Sequence, residues 1–292
     1  MEEIAQVIFT LCAFLAILAV ISITVYMVIN GTPALFQVGI REILFGTAWK
    51  PTAENPSFGI LYVILTSIIG TALAVLLGVP IGILTAVFLA ETAPRKLAAL
   101  VKPAVELLAG IPSVVYGLLG LMILNPLMYK LELAIFKGSD THQFTGGANL
   151  LSAVIVLAIM ILPTVINISE SAIRAVHPSL KSASLALGAS HIQTIFKVIL
   201  PAAKSGILAA VILGVGRALG ETMAVMMVVG NQPRVPNSIL QGVRTLTTNI
   251  VMEMGYATDL HREALIATGV VLFAFILIIN LCFSAIKRSG KE

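Results

Sequence analysis

Charge is what this chain has least of. Only 11% of its 292 residues are Asp, Glu, Lys or Arg, against about 25% in soluble domains, while 58% are hydrophobic. That composition excludes a soluble globular domain and leaves an integral membrane protein. Aromatic residues are also scarce, at 6%. There are two cysteines, Cys12 and Cys282. Both fall in apolar runs, so a disulfide framework is excluded and they read as apolar filler. No Gly-x-x-x-x-Gly-Lys-Ser/Thr loop occurs, the sole Gly-Lys pair being Gly290-Lys291, so the chain carries no ATPase site of its own. No His-Glu-x-x-His or paired-cysteine pattern occurs either, and neither metal nor cofactor is expected. His142, His177, His191 and His261 are scattered over loops and read as solvated or capping side chains. The net charge of +4 needs no nucleic-acid partner, because the basic residues sit between apolar runs.

What the chain has in quantity is long apolar sequence and glycine. Six runs reach the length needed to cross a bilayer, at roughly 7–29, 58–90, 98–124, 149–169, 203–229 and 264–286. The 23 glycines suit helices packed through small residues in lipid. Gly78 and Pro80 predict a kink in the second run, and Pro103 and Pro112 a bend or a late start in the third. The acidic start Met1-Glu-Glu is unlike a cleavable signal, so the first run is expected to stay as a helix. Six spans put both termini on one side. The second and fourth loops and the tail hold Arg95, Lys96, Lys102, Arg174, Lys181, Lys197, Lys204, Lys287, Arg288 and Lys291. The opposite loops mix Arg41, Lys50, Lys130, Lys137, Arg234, Arg244 and Arg262 with acids such as Asp140, Glu253 and Glu263. The bias predicts cytoplasmic termini. Residues 1–57 then form a first transmembrane helix and outer loop, and 58–292 the remaining core. The lone Trp49 is expected at the membrane interface, and a short helix near Ser238–Met254.

Arg217 and Glu221 lie inside the fifth run, in Gly-Arg-Ala-Leu-Gly-Glu-Thr-Met-Ala-Val (216–225). In an unbroken helix a spacing of four places both on one face, one turn apart. Ionisable residues at bilayer depth cost about 2.5–3.5 kcal/mol each and point to a substrate or ion path. A structural Arg–Glu bridge between helices is the other reading. Glu106 and Glu170 read as solvated near the cytoplasmic surface. Ser113 and Tyr116 read as helix-contact hydrogen bonders.

The loop at 171–204 is the second informative stretch. Ser179–Leu187 should be helical, Gly188 should turn the chain, and Ile192, Ile195, Phe196 and Ile199 are spaced to share a helix face. Such a projection fits a groove on another protein or an interfacial helix lying on lipid.

Gly188, Val198, Leu200 and Pro201 match the "EAA" signature of permease subunits of ATP-binding-cassette importers. The signature's first positions fall on Ser182, Ala183 and Ser184, so its acidic residue is missing. Within that family, 216–225 resembles the phosphate-specific permeases of the PstC type, as do Gly46-Thr-Ala-Trp-Lys-Pro51, Gly110–Gly117 and Ser184–Ala189. The resemblance covers nearly the whole chain. It implies an all-α polytopic fold of six transmembrane helices with a type I importer (MetI-like) core, in a prokaryotic cell membrane. It implies inorganic phosphate as substrate, moved along Arg217, Glu221 and Thr222. It implies a pseudo-symmetric pairing with a related permease subunit of the PstA type, two ATP-binding subunits docked on Ser182, Ala183, Ser184, Gly188, Leu200 and Pro201, and an extracytoplasmic phosphate-binding protein. Two other readings stand beside it. One is an importer permease for sulfate or molybdate. The other is a proton-coupled carrier, a class that usually shows internal repeats and broken helices, neither of which is evident.

Overall fold

The computed structural model describes residues 2–138 and 142–289. Asp140 and Lys291, with the side chains of Lys287 and Arg288, lie outside the described residues. Helix α1 (Glu2–Gln37) leads into α2 (Ile40–Phe45) and a hairpin of β1 (Trp49–Lys50) and β2 (Ser57–Phe58), antiparallel with Trp49 opposite Phe58. Helix α3 (Leu61–Val87) runs on through a π-helical turn at Phe88–Thr92. Helices α4 (Arg95–Gly110), α5 (Ser113–Leu119) and α6 (Asn125–Ile135) follow, the last two joined by a second π-turn, Gly120–Leu124. Then come α7 (Leu150–Arg174), α8 (Pro178–Ala186), α9 (His191–Thr194), a third π-turn (Ile195–Ile199) and α10 (Leu200–Ala202). The chain closes with α11 (Lys204–Gly220), α12 (Met223–Val228), α13 (Leu246–Met254) and α14 (Asp259–Ser289).

Among the described residues five helices are long and apolar enough to span a bilayer: Ile4–Gln37, Leu61–Thr92, Ser113–Ile135, Leu150–Arg174 and Asp259–Cys282. A sixth candidate is the pair His191–Ala202 and Lys204–Gly220, bent by 70°. The count agrees with the six apolar runs; two of the runs do not map as expected. The third span is Ser113–Ile135 rather than 98–124, the late start that Pro112 signalled. Ile111 is extended (φ −70°, ψ 127°), as the residue before Pro112 is driven to be, and that breaks the run in two. The N-terminal piece becomes α4, which packs Val105 against Leu89 and Ile166 and leaves Lys102 and Glu106 outside. The fifth run is broken as well, at Glu221. Pro80, by contrast, lies inside an uninterrupted α3. The helix expected near 238–254 starts only at Leu246.

The chain forms two compact units, one of residues 1–61 with 249–275 and one of 62–248 with 276–292. In the first, α1 exposes apolar side chains from Ile4 to Ile29 on all sides, as a lipid-facing helix does. Trp49 is packed inside the unit. It is 6% exposed, and its indole Nε1 donates to Glu253 Oε2 at 2.8 Å. His261 Nε2 lies 2.9 Å from the same oxygen. A buried carboxylate needs donors, and Trp49 and His261 supply them, so His261 is neither solvated nor a cap.

The second unit is built around α7. Its N-cap Asn149 accepts from Ser152 N at 3.0 Å, covering one of the free amides of the first turn. Its inner face joins residues of α3, α5, α11 and α12 in one core that includes Ala74, Tyr116, Leu157, Ile161, Ala218, Ala224 and Val228. Close backbone approach makes this core possible: a Cβ on Gly117 would stand 2.8 Å from Ala224 Cα. Tyr116 Oη donates to Leu108 O at 2.7 Å, a helix-contact role as expected.

Candidate functional site

The segment 216–225 is where α11 stops and α12 starts. Gly220 ends α11, Glu221 is extended (φ −68°, ψ 128°), and α12 resumes at Met223. Arg217 and Glu221 therefore do not share a helix face, and among the described residues no ion pair joins them. A helix broken inside an apolar stretch exposes polar backbone that must find partners. Here hydroxyls and one carboxylate supply them. Thr247 Oγ1 donates to Glu221 O at 3.0 Å, and Thr222 Oγ1 donates to Gly220 O at 3.2 Å. Glu221 Oε1 accepts from Ala224 N at 3.1 Å. A carboxylate at the start of a helix meets both its free amides and the positive end of its dipole. Glu221 thus caps α12 rather than holding Arg217.

Arg217 is half-buried in the last turn of α11, where the helix dipole favours a cation. Its Nη1 donates to Thr164 Oγ1 on α7 at 3.3 Å. No carboxylate answers it among the described residues. The remaining guanidinium donors form a planar fork suited to an oxyanion. Glu221 also lines a cavity with Thr66, Ser67, Gly70 and Thr71 of α3 and with Thr245. The cavity is narrow, with about 10 Å³ open to the centre of a water-sized sphere, the room of one water molecule. The arrangement is a narrow cavity beside a broken helix, in which apolar side chains such as Leu157, Leu219 and Val225 stand among the hydroxyls. Thr164, Thr247 and the cavity hydroxyls escape sequence reasoning, because Ser and Thr in apolar runs usually only brace helix contacts. Gly216 and Gly220, flanking the arginine, are the signal that could have located the break.

The loop at 171–204 forms a second constellation. Pro178 opens α8, with His177 accepting from Ser179 N, so His177 is a cap as expected. Gly188 has φ +84°, the left-handed turn that glycine allows. Ser190 and Gln193 form a capping box at α9. Ser182 Oγ bonds back to Pro178 O, Ala183 is exposed, and Ser184 Oγ lies 2.9 Å from Thr194 Oγ1, tying the two helices together. Leu200 packs on the buried cluster of Ile173, Ile195 and Ile199, and Pro201 opens the turn into α11. The expected shared face is split: Ile195 and Ile199 are buried, whereas Ile192 and Phe196 are exposed. A π-turn at 195–199 widens the helix and rotates its side chains apart. Leu187, at the tip, is 90% exposed.

Two further expectations fail. Glu170 is not solvated: it is 2% exposed and takes Arg174 Nε at 2.7 Å and Lys102 Nζ at 3.4 Å. His142 is paired, its Nε2 lying 3.2 Å from the fully buried Glu132, which also accepts from Thr145 N and Oγ1. No group of three metal-ligating side chains occurs among the described residues.

Residues 78–289 match the family model described as binding-protein-dependent transport system inner membrane component. The chain is 40% identical to a probable ABC transporter permease protein, YqgH, of Bacillus subtilis (strain 168), over 96% of this chain and 90% of that one. It is 37% identical to the phosphate transport system permease protein PstC of Mesorhizobium japonicum, over 82% and 75%, and 34% identical to PstC of Xylella fastidiosa (strain 9a5c), over 98% and 91%. In fold it is similar to a chain of a bacterial ABC transporter that imports alginate, with a TM-score of 0.65 at 17% identity over 99% of this chain and 98% of that one. It is also similar to a chain of the inward-facing MetNI methionine transporter, with a TM-score of 0.60 at 20% identity over 79% and 95%. A multi-pass helical core, the glycine-turned loop and these matches together assign the chain to the binding-protein-dependent transport system inner membrane components, as a permease of the PstC type.

Proposed function

We propose that this chain is one half of the translocation path of an ATP-driven importer for inorganic phosphate. The observation that carries the reading is Arg217, a guanidinium on a broken membrane helix with, among the described residues, only a neutral hydroxyl as partner. A charge held this way is worth keeping only if an anion meets it, and the phosphate-transport relatives say which anion to try first. In this reading Arg217 takes phosphate oxygens through its free N–H groups. Glu221 acts differently from the expected clamp. By capping α12 it fixes the break that presents Arg217, and it adds a negative charge along the path that discourages tight retention. Thr222 must release Gly220 O before it can donate to substrate. The cavity, with room for one water molecule, has to widen before phosphate passes, as alternating access requires.

The remaining parts of the reading concern partners. The α8–α9 projection, with Ser182, Ala183, Ser184, Gly188, Leu200 and Pro201, docks a separate ATPase, of which two copies serve the pair of permeases. The second permease is a related chain of the PstA type, and an extracytoplasmic binding protein delivers phosphate. Both termini lie in the cytoplasm of a prokaryotic cell. Residues 1–57 and 58–292 act as an added first helix with its loop and as the transport core.

The test is uptake of labelled phosphate by the full complex in liposomes, with ATP inside and binding protein outside, challenged with excess sulfate or molybdate. Uptake that needs ATP and resists both competitors supports phosphate. Displacement by sulfate or molybdate would move the assignment to another oxyanion, and uptake without any ATPase subunit would refute the importer reading.

A further inference from the structure

The coupling loop lacks the acidic residue of its signature, at Ser182, yet its neighbour Lys181 is ion-paired. Lys181 Nζ bonds Glu91 Oε2, and Glu91 belongs to the π-turn Phe88–Thr92 that ends α3. The same turn is held from a second side: Arg174 Nη2 of α7 donates to Leu89 O at 2.8 Å, while Arg174 Nε is fixed by buried Glu170. Between the π-turn, the end of α7 and α8 lies a cavity of about 300 Å³, lined by Glu91, Arg174, His177 and Lys181 among others. So α8 is joined to α9 by the Ser184–Thr194 hydroxyl contact, and it faces the end of α3 across open space bridged, among the described residues, by one ion pair. A projection with room to move, linked by an ion pair to a membrane helix, is arranged to pull on that helix.

We infer that Lys181 and Glu91 are positioning residues that tether the coupling loop to α3, so that displacement of α8 is passed to the membrane core. The inference rests on the importer reading above. Glu91 is mostly buried and Lys181 half-exposed, which makes the pair less screened than a free surface bridge. The π-turn suits the role, since its widened backbone is a common site of local adjustment.

The test uses the complete transporter in liposomes. Lys181→Ala and Glu91→Gln should each lower phosphate moved per ATP hydrolysed by about tenfold, while hydrolysis itself falls less than about twofold. Lys181→Arg should keep the ratio, and Lys181→Glu combined with Glu91→Lys should bring it back to within about threefold of the parent. A second readout does not depend on the solute. Spin labels at Leu185→Cys and Leu84→Cys, with Cys12 and Cys282 replaced by serine, should keep their separation when ATP and vanadate trap the complex. In Lys181→Ala that separation should change on trapping. An unchanged transport-to-hydrolysis ratio in the single variants, no recovery in the swap, or a constant label distance in Lys181→Ala would each overturn the tether. A parent complex that takes up no phosphate would refute the substrate reading instead, and the label distances would still decide the tether.

Discussion

Charges in the second unit are handled in two ways. At the end of α7, Glu170 is buried beneath Lys102 and Arg174, and Glu91 is bound by Lys181. Glu132 is likewise covered by His142 and Thr145. Each of these acids has its donors, and each donor has somewhere to go. At the break between α11 and α12, Arg217 and Glu221 lie four residues apart and do not pair. A chain able to satisfy its buried charges elsewhere has left this cation with one hydroxyl. Unpaired charge at bilayer depth is unfavourable, which is the ground for the proposal that a passing anion meets Arg217.

The sharpest way to break that contrast is Arg217→Ala. Phosphate uptake should fall by about a hundredfold or more, the order expected when a desolvated charged contact is truncated, while insertion and assembly stay normal. Uptake within a few-fold of the parent in a fully assembled complex would return Arg217 to the structural class. The exchange Arg217→Glu with Glu221→Arg should not recover transport, staying within about threefold of Arg217→Ala, because the two side chains have different partners. Recovery would mean that they pair in some working state.

At the paired end the expectation is reversed. Glu170→Ala should destabilise the chain by about 2 kcal/mol, the loss of charge-assisted hydrogen bonds softened because Lys102 and Arg174 can reach water. Uptake per assembled complex should change little, as detergent melting and transport on matched samples would show. Gly188→Val should cost about 1–2 kcal/mol through its φ of +84°, with no steric clash, since nothing lies within 4 Å of the added Cβ. Its signature is ATP hydrolysis uncoupled from uptake, or failed assembly. Equal coupling in variant and parent would remove the loop from the docking surface. Glu221→Gln should be mildest, about threefold in uptake, because the amide oxygen can still cap α12 at the loss of a fraction of a charge-assisted bond. A loss as large as that of Arg217→Gln would show that the carboxylate charge itself is needed.

Much of this was legible from residue order. Runs of apolar residues longer than a bilayer is thick identify the spans because backbone in lipid must bond to itself. Gly188 and the flanking Ala- and Leu-rich stretch identify the turned projection because its chemistry is local. The failures share a cause. The third span was drawn over 98–124; Pro112 did signal the late start found at Ser113, and hydropathy alone missed the continuation to Ile135. The Arg217–Glu221 face was drawn on a continuous helix, and the break at Glu221 also shows that broken helices were wrongly judged absent. Trp49, Glu170, His142 and His261 were assigned to interface or solvent by residue type, whereas each meets a partner 8 to 204 positions away, apart from the Arg174 contact four residues from Glu170.

The sequence by itself determined that the chain spans a membrane with about six helices, that it lacks an ATPase loop, and that one arginine lies deep in an apolar run. These follow from composition and short-range spacing, which need no tertiary contact. Only the tertiary structure decided which charges are paired. Thr247 comes from α13 and Thr164 from α7 to the break in α11–α12, and Lys181 crosses a cavity to Glu91. Whether a buried ion is structural or free depends on donors delivered by packing from distant segments, and that no local pattern in the chain encodes.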